Sequence, residues 1–224
     1  SITMLYNGGN IILRSKQPKT IVSEGDSLRE KRMIVDEEGL YSVTNKKWGR
    51  AMSNLVIQSC REKRLFGEEP KPVSREEDEE EEGDEGVVEL SSKAKNGITR
   101  TVIDLTASVG GMTLALVKSN FFDRVLALEI DKGRAALCRE NLDRHGFPTG
   151  TTNGKVIEVR NQDSVEQIPF LPRGACFVID PPWGGYDYKE QVRRQQQHEG
   201  RPLLKLGDTS LEDVLARISL HNSP

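Results

Sequence analysis

A doubly wound α/β fold, a Rossmann-like parallel sheet with helices on both faces, is what the order of apolar runs in this chain predicts. Three observations carry that expectation. The runs Thr101–Leu105, Arg124–Leu128, Lys155–Val159 and Ala175–Ile179 are long enough for buried strands and too short for helices. Helical patterns or turn-rich connectors separate them. Each run also closes on polar residues (Asp104, Glu129 with Asp131, Asn161 to Asp163, and Asp180), as expected where a ligand crevice lies beyond the carboxyl ends of the strands.

Taken in order, residues 1–35 are polar and rich in turn formers, with one apolar run at Ile11 to Leu13, and little regular structure is expected there. Residues 36–67 form a helical extension. Thr44 or Asn45 is placed to cap a helix reaching about Phe66, and Trp48, Met52, Leu55, Val56 and Cys60 make a stripe suited to packing on the sheet. Residues 68–97 read as an acidic disordered insertion: positions 68–90 hold twelve acids and two bases. A docking role for that run, with a basic protein partner or as a mimic of RNA, is the functional alternative.

Residues 98–224 are the expected core domain. Thr101–Leu105 leads through the small-residue turn Thr106 to Gly111 into a helix over Met112–Lys118, the opening unit of a nucleotide-binding sheet. A second helix runs from Lys132 to about His145, and Gly146 to Gly154 reads as a plain connector. Lys189 to Gln197 is strongly polar; Lys189, Arg193 and Arg194 would follow RNA phosphates or line a solvated helix. Ser210 to Leu220 is a short amphipathic helix capped by Ser210. Only four strands are legible, so the domain is expected to be truncated after the fourth, leaving the strand before Asp180 as an exposed edge that folded proteins avoid. The start at Ser1, without an initiator methionine, agrees with a fragment or a processed gene model.

Composition narrows the field. The net charge of −3 conceals a body with 30 basic and 23 acidic residues outside positions 68–90, a balance that suits an RNA partner. Cys60, Cys138 and Cys176 are too scattered for a disulfide framework or a zinc site, and read as buried thiols of a reducing compartment. His145, His198 and His221 form no pair at metal-ligand spacing, so no metal is expected. No apolar stretch approaches the ~20 residues of a membrane span, and no signal peptide is recognisable.

The chemistry concentrates at Asp180-Pro181-Pro182-Trp183. A strand running into two prolines gives a stiff corner that lacks N–H groups but keeps its carbonyls. Asp180 and the Pro181 carbonyl can then accept both hydrogens of a base –NH2 group while Trp183 stacks on the ring. Holding both protons turns the amine lone pair toward an electrophile, which is catalysis by positioning without a covalent intermediate. Among cofactors, a dinucleotide would want spaced glycines against its pyrophosphate, whereas Ser108 stands at the first glycine position and Gly110 and Gly111 are adjacent. S-adenosylmethionine carries no phosphate and needs only close backbone approach to its methionine part. Glu129 and Asp131, closing the second strand, are placed to accept ribose hydroxyls, and a side chain of the Asn161-Gln162-Asp163 stretch to meet an adenine amine. The residues thus point to a methyltransferase acting on a base amine.

At this level the chain resembles the trimethylguanosine synthases. Glu37 to Thr44 is similar to the family's Glu-Gly-Trp-Phe-Ser-Val-Thr segment. Val102 to Gly111 is similar to its first cofactor motif, and Asp180 to Gly185, with Asp187 and Tyr188, to its Pro-Pro-Trp-Gly-Gly-Pro-Asp-Tyr block. The resemblance spans roughly residues 35–188. It implies a class I S-adenosylmethionine-dependent methyltransferase sheet and transfer to the N2 amine of an N7-methylguanosine cap on small nuclear or nucleolar RNA, in the nucleus. It further implies Trp183 stacked on the methylated guanine, Asp104, Thr106, Gly110 and Gly111 by the methionine moiety, and Glu129 and Asp131 on the ribose. Asp163 would lie near the adenine, Ser42 and Thr44 in a segment folded over the cofactor, and Tyr188 and Lys189 on the substrate side. Departures are Asp180 where many members carry serine, Tyr186 for proline, Ser108 for glycine, and Leu40-Tyr41 for Trp-Phe. Two other readings remain: an adenine-N6 or cytosine-N4 methyltransferase, which Asp180 favours, and a non-catalytic cap- or RNA-binding remnant.

Overall fold

A computed structural model of the chain describes residues 2–7, 10–15, 33–36, 46–67, 99–152, 154–180 and 205–223. The chain opens with strands β1 (Ile2–Asn7) and β2 (Asn10–Ser15). Helix α1 (Lys46–Glu62) precedes β3 (Thr101–Asp104), α2 (Gly111–Lys118), β4 (Arg124–Glu129) and α3 (Lys132–Arg144). Strands β5 (Gly150–Thr152) and β6 (Lys155–Asn161) follow, then the single helical turn α4 (Ser164–Gln167), a 3-10 turn over Ile168–Phe170 and β7 (Cys176–Ile179). A two-residue hairpin, β8 (Lys205–Leu206) and β9 (Thr209–Ser210), leads into α5 (Leu211–Asn222).

The main sheet has the order β2-β1-β7-β3-β4-β6-β5. Its centre, β7-β3-β4-β6, is parallel, as strands joined by helical crossovers must be. The first strand of the domain therefore lies between the second and the fourth, and the strand order reverses between β3 and β7. Side chains alternate across this sheet, and both faces are apolar because both are covered. Val102, Val125, Ala127, Cys176 and Val178 face α1, α2 and α3, meeting Met52, Val56, Leu116 and Cys138. Ile103, Leu126, Leu128, Phe177 and Ile179 face the opposite way, toward Val165, Ile168 and Leu171 and toward α5. Helix α2 packs against both α1 and the sheet and is buried on most sides, which is why it is apolar nearly all round.

Several expectations hold. The four strands start and stop within two residues of the positions read from sequence. The α1 stripe packs as expected, with Met52, Val56 and Cys60 buried and Trp48 and Leu55 against them. Ser210 caps α5, its hydroxyl accepting from the Asp213 N–H at 3.1 Å, and Leu211, Val214, Leu215 and Ile218 form the buried stripe. The three cysteines are free and buried. Thr44, Asn45, the acidic run and the 189–197 segment lie outside the described residues.

Three expectations are corrected. Residues 2–15, read as lacking regular structure, form the β1–β2 hairpin with Asn7 opposite Asn10. Between those partners the sequence reads Gly8-Gly9, one of the dipeptides favoured between hairpin strands. That signal was hidden in a segment whose overall composition is polar. The strand before Asp180 is not an open edge, since β1 pairs antiparallel with it (Met4 opposite Ile179, Leu5 opposite Val178). A strand pair of distant sequence origin leaves no trace in local periodicity. Finally, the 146–154 connector contributes β5, which pairs antiparallel with β6, so the sheet has seven strands rather than four. No described helix is long and apolar enough to cross a membrane.

The contrast between two α5 residues tests this packing. Ile218 is fully buried against the second face and Leu220 is 76% exposed. Ile218→Ala should lower unfolding free energy by about 2–4 kcal/mol and Leu220→Ala by no more than about 0.5 kcal/mol in urea titrations.

Candidate functional site

The reversal of strand order between β3 and β7 opens a crevice at a switch point, with α2 packed on one face of the sheet and α5 on the other. Such switch points are where open α/β sheets bind ligands. Here the turn after β3 is stitched to both neighbours. The Leu105 N–H donates to the Val178 carbonyl at 2.9 Å, and the Ala107 N–H to the Leu128 carbonyl at 3.0 Å. Across the crevice, the Asp180 N–H donates to Thr106 Oγ1 at 2.7 Å, tying the start of the Pro-Pro corner to the first turn.

Two residues of that turn have left-handed backbone, Ser108 with φ 48° and Gly110 with φ 93°. At Gly110 no other residue fits: a Cβ there would stand 2.8 Å from Cys138 Sγ on α3. Ser108 takes a conformation that costs a non-glycine residue about 1 kcal/mol, and it occupies the position where the resembling family carries glycine. Its N–H is held by Glu129 Oε2 at 2.8 Å.

Glu129 closes β4 and is 8% exposed. Its Oε1 accepts the Asp131 N–H at 2.9 Å and faces Arg134 Nε at 3.4 Å. Each carboxylate oxygen has a second lone pair, so bridging the two turns leaves capacity to accept hydroxyls. Asp131 caps α3 through the Arg134 N–H at 2.8 Å, a bond that holds its carboxyl below the usual range. Asp163 caps α4 through the Val165 N–H at 2.8 Å. Both caps stand at the carboxyl edge of the sheet, beside Glu129 and after β6 respectively, so the acidic residues picked from sequence do converge on one edge.

Asp104 differs from expectation in kind. It is 1% exposed, with Oδ2 accepting from Thr113 Oγ1 at 2.7 Å and Oδ1 from the Thr106 N–H at 3.2 Å. Burial pushes its carboxyl up to about 6; the two hydrogen bonds pull back, and the charges of Asp180 and Glu129 add to the rise. It thus organises the turn from beneath and acts on the crevice through its charge. Gly110 and Gly111 are likewise buried, the second opening α2. Thr106 is half-buried with its hydroxyl engaged by Asp180. Ser42, Thr44, Pro181, Trp183, Tyr188 and Lys189 lie outside the described residues.

Two residues absent from the sequence reading belong to this region. Ile130 follows Glu129 and is 65% exposed, an apolar surface beside the ribose-type carboxylate. Asn141 is fully buried on α3. Its amide nitrogen donates to the Val109 carbonyl at 2.9 Å and to the Ile34 carbonyl at 2.8 Å, while Oδ1 accepts the Ile34 N–H at 2.7 Å. One side chain therefore joins the segment before α1 to the turn after β3. The available signal was an asparagine on the α3 stripe otherwise made of Ala135, Cys138 and Leu142.

The fold is a doubly wound α/β sheet with acidic residues gathered at its switch point. Five carboxylates (Asp104, Glu129, Asp131, Asp163 and Asp180) stand at this edge, an electrostatic setting unfavourable to a pyrophosphate. Residues 99–204 match the family model described as RNA cap guanine-N2 methyltransferase. No curated protein matches the chain.

Because the Asp104 carboxyl is raised in the folded state, its proton stabilises the fold below about pH 4, and that contribution is lost as pH rises through about 6. Asp104→Asn should therefore gain on the wild type by up to about 3 kcal/mol between pH 4 and pH 7 in denaturant unfolding. Asn141→Ala leaves the buried Val109 carbonyl and the two part-buried Ile34 backbone groups without this partner and should cost about 2–4 kcal/mol. Hydrogen exchange should speed up first at residues 33–36 and 106–110.

Proposed function

We propose that this chain binds S-adenosylmethionine in the crevice and methylates the N2 amine of an N7-methylguanosine cap, yielding a 2,2,7-trimethylguanosine cap on small nuclear or nucleolar RNA in the nucleus. The observation that supports this most is the meeting of three things in one family-matched segment: the acidic crevice, the bond from Asp180 to Thr106, and the Pro-Pro-Trp corner that follows. When bound, S-adenosylmethionine supplies an electrophilic methyl group on a sulfonium.

The residues present fit that cofactor. Glu129, with Asp131 beside it, accepts the ribose hydroxyls, and the exposed face of Ile130 offers the adenine an apolar contact. The N-terminus of α2, from Gly111, suits the methionine carboxylate. Asp104 and Asp180 give the crevice the negative field that its ammonium and sulfonium need. Asp163 lies toward the adenine, and Ser42 and Thr44 belong to the segment that follows Ile34.

At the substrate, Asp180 and the Pro181 carbonyl accept the two amine hydrogens, aiming the nitrogen lone pair into the crevice. Asp180 takes the amine proton as the new N–C bond forms. Trp183 stacks on the N7-methylated guanine, whose positive charge adds about 1–2 kcal/mol over burial, with Tyr188 and Lys189 on the same side. Asp180 also supports a second reading, transfer to adenine N6 or cytosine N4, since it stands where many cap enzymes carry serine.

Calorimetry with S-adenosylhomocysteine and N7-methylguanosine cap analogue tests the choice. Trp183→Ala should weaken cap analogue about tenfold or more and leave S-adenosylhomocysteine unchanged. Cap binding indifferent to Trp183, with methyl transfer to uncapped RNA, would sink the cap reading in favour of the second.

A further inference from the structure

We propose that Asn161 is a positioning residue for the adenosine half of the cofactor, acting through the turn that carries Glu129, Ile130 and Asp131. The identity of the ligand rests on the cofactor reading given above; the role of Asn161 rests on the hydrogen bonds described next.

Strand β6 ends at Asn161, directly opposite Glu129 at the end of β4. The Asn161 side chain reaches across to its neighbour, Nδ2 donating to the Glu129 carbonyl at 3.0 Å and to the Ile130 carbonyl at 2.7 Å. An amide nitrogen carries two hydrogens, so both are engaged, and a flipped amide would set its oxygen against two carbonyl oxygens. The Gln162 N–H also donates to the Glu129 carbonyl, at 3.1 Å. Beyond Ile130, the Asp131 N–H is held by Glu129 Oε1 at 2.9 Å.

These bonds fix both peptide units that flank the Ile130 Cα. The unit before it is held through its carbonyl, and the unit after it through its carbonyl and its N–H together. Peptide units are planar, so holding both planes sets φ and ψ of Ile130 and with them the direction of its Cβ. Packing does not set that direction, because Ile130 is 65% exposed. A large apolar side chain aimed by polar bonds yet left in water adds little to the core. Its fixed direction serves a flat apolar ligand arriving beside the Glu129 carboxylate, because the ordering is complete before binding. Asn161 touches both planes, and the same contact steadies the backbone that carries the ribose acceptor Glu129. Asn161 is itself exposed, so its bonds hold the turn rather than a packed interior.

The test uses the full chain carrying Asn161→Asp, which keeps the size but replaces donors with acceptors, or Asn161→Ala, which adds no charge. Each is made alone and together with Ile130→Ala. Calorimetry measures binding of S-adenosylhomocysteine, adenosine and cap analogue at a temperature where thermal unfolding shows every variant folded. Either Asn161 substitution should weaken both nucleosides about tenfold, as loss of two hydrogen bonds to the turn implies. Equal loss for the two ligands places the effect in the half they share, and uncharged adenosine rules out the added charge of aspartate as its cause. In the Ile130→Ala background the further loss should shrink to about threefold or less, since the two residues act as one unit. Unchanged affinity in a folded variant, the result for a tie that serves the fold alone, overturns the proposal. So does a loss of the same size with and without Ile130. A wild type that binds neither nucleoside overturns it together with the cofactor reading. Failure to bind cap analogue would defeat the cap reading alone, and the nucleosides would still decide this one.

Discussion

The lodging of β7 against β3 is the constraint on which the rest of the molecule depends. It reverses the strand order and so creates the crevice. It also places Asp180 within reach of the first turn through the bond to Thr106 Oγ1. A four-residue strand stays in place only if both its faces are buried. Phe177 and Ile179 meet α5 and its preceding turns on one side, and Cys176 and Val178 meet α1 on the other. The Cys60 thiol is hydrogen-bonded to Cys176, and this bond and burial push the Cys176 thiol well above its ordinary value. Cys176 therefore serves as a packing group rather than a nucleophile. Antiparallel pairing with β1 completes the strand's hydrogen bonds on the outer side.

Beneath the turn, a buried carboxylate does work that an apolar residue cannot. Asp104 is costly to ionise where it stands, and Thr113 and the Thr106 N–H offset part of that cost. In return the turn between β3 and α2 acquires a hydrogen-bonded foundation and the crevice a negative field. Glu129 repeats the arrangement from the neighbouring strand by holding the Ser108 N–H, and Asn141 does so from α3 by holding the Val109 carbonyl. A turn with two left-handed residues is in this way bound from three sides, which keeps it in the shape a ligand would meet without reorganisation at the moment of binding.

The same directionality of the parallel strands gathers the carboxylates. Glu129, Asp163 and Asp180 follow or close β4, β6 and β7, whereas the edge where the strands begin carries mixed pairs, Arg100 with Asp123 and Arg124 with Glu158. Because the strands are parallel, the acids at their ends collect at one edge instead of alternating. A protein with a modest net charge of −3 can then present a cation-attracting crevice.

Much of this was legible in the sequence. Short β-branched runs closing on acids determined the four parallel strands, and the stripes of α1 and α5 were readable from helical spacing. The convergence of Glu129, Asp131, Asp163 and Asp180 on one edge followed from placing acids at carboxyl ends. These are local properties: periodicity, turn composition and the polarity of strand ends depend on neighbours a few residues away. What only the tertiary structure decided depends on partners far apart in the chain. The β1–β7 pairing joins residues more than 170 positions apart, beyond the reach of any local pattern. Asn141 looked like one more polar residue on a helix until Ile34, 107 residues away, was brought against it. Asp104 was recognisable as a site residue, but its burial, and with it the change from contact group to buried charge, was decided by α2 folding over it.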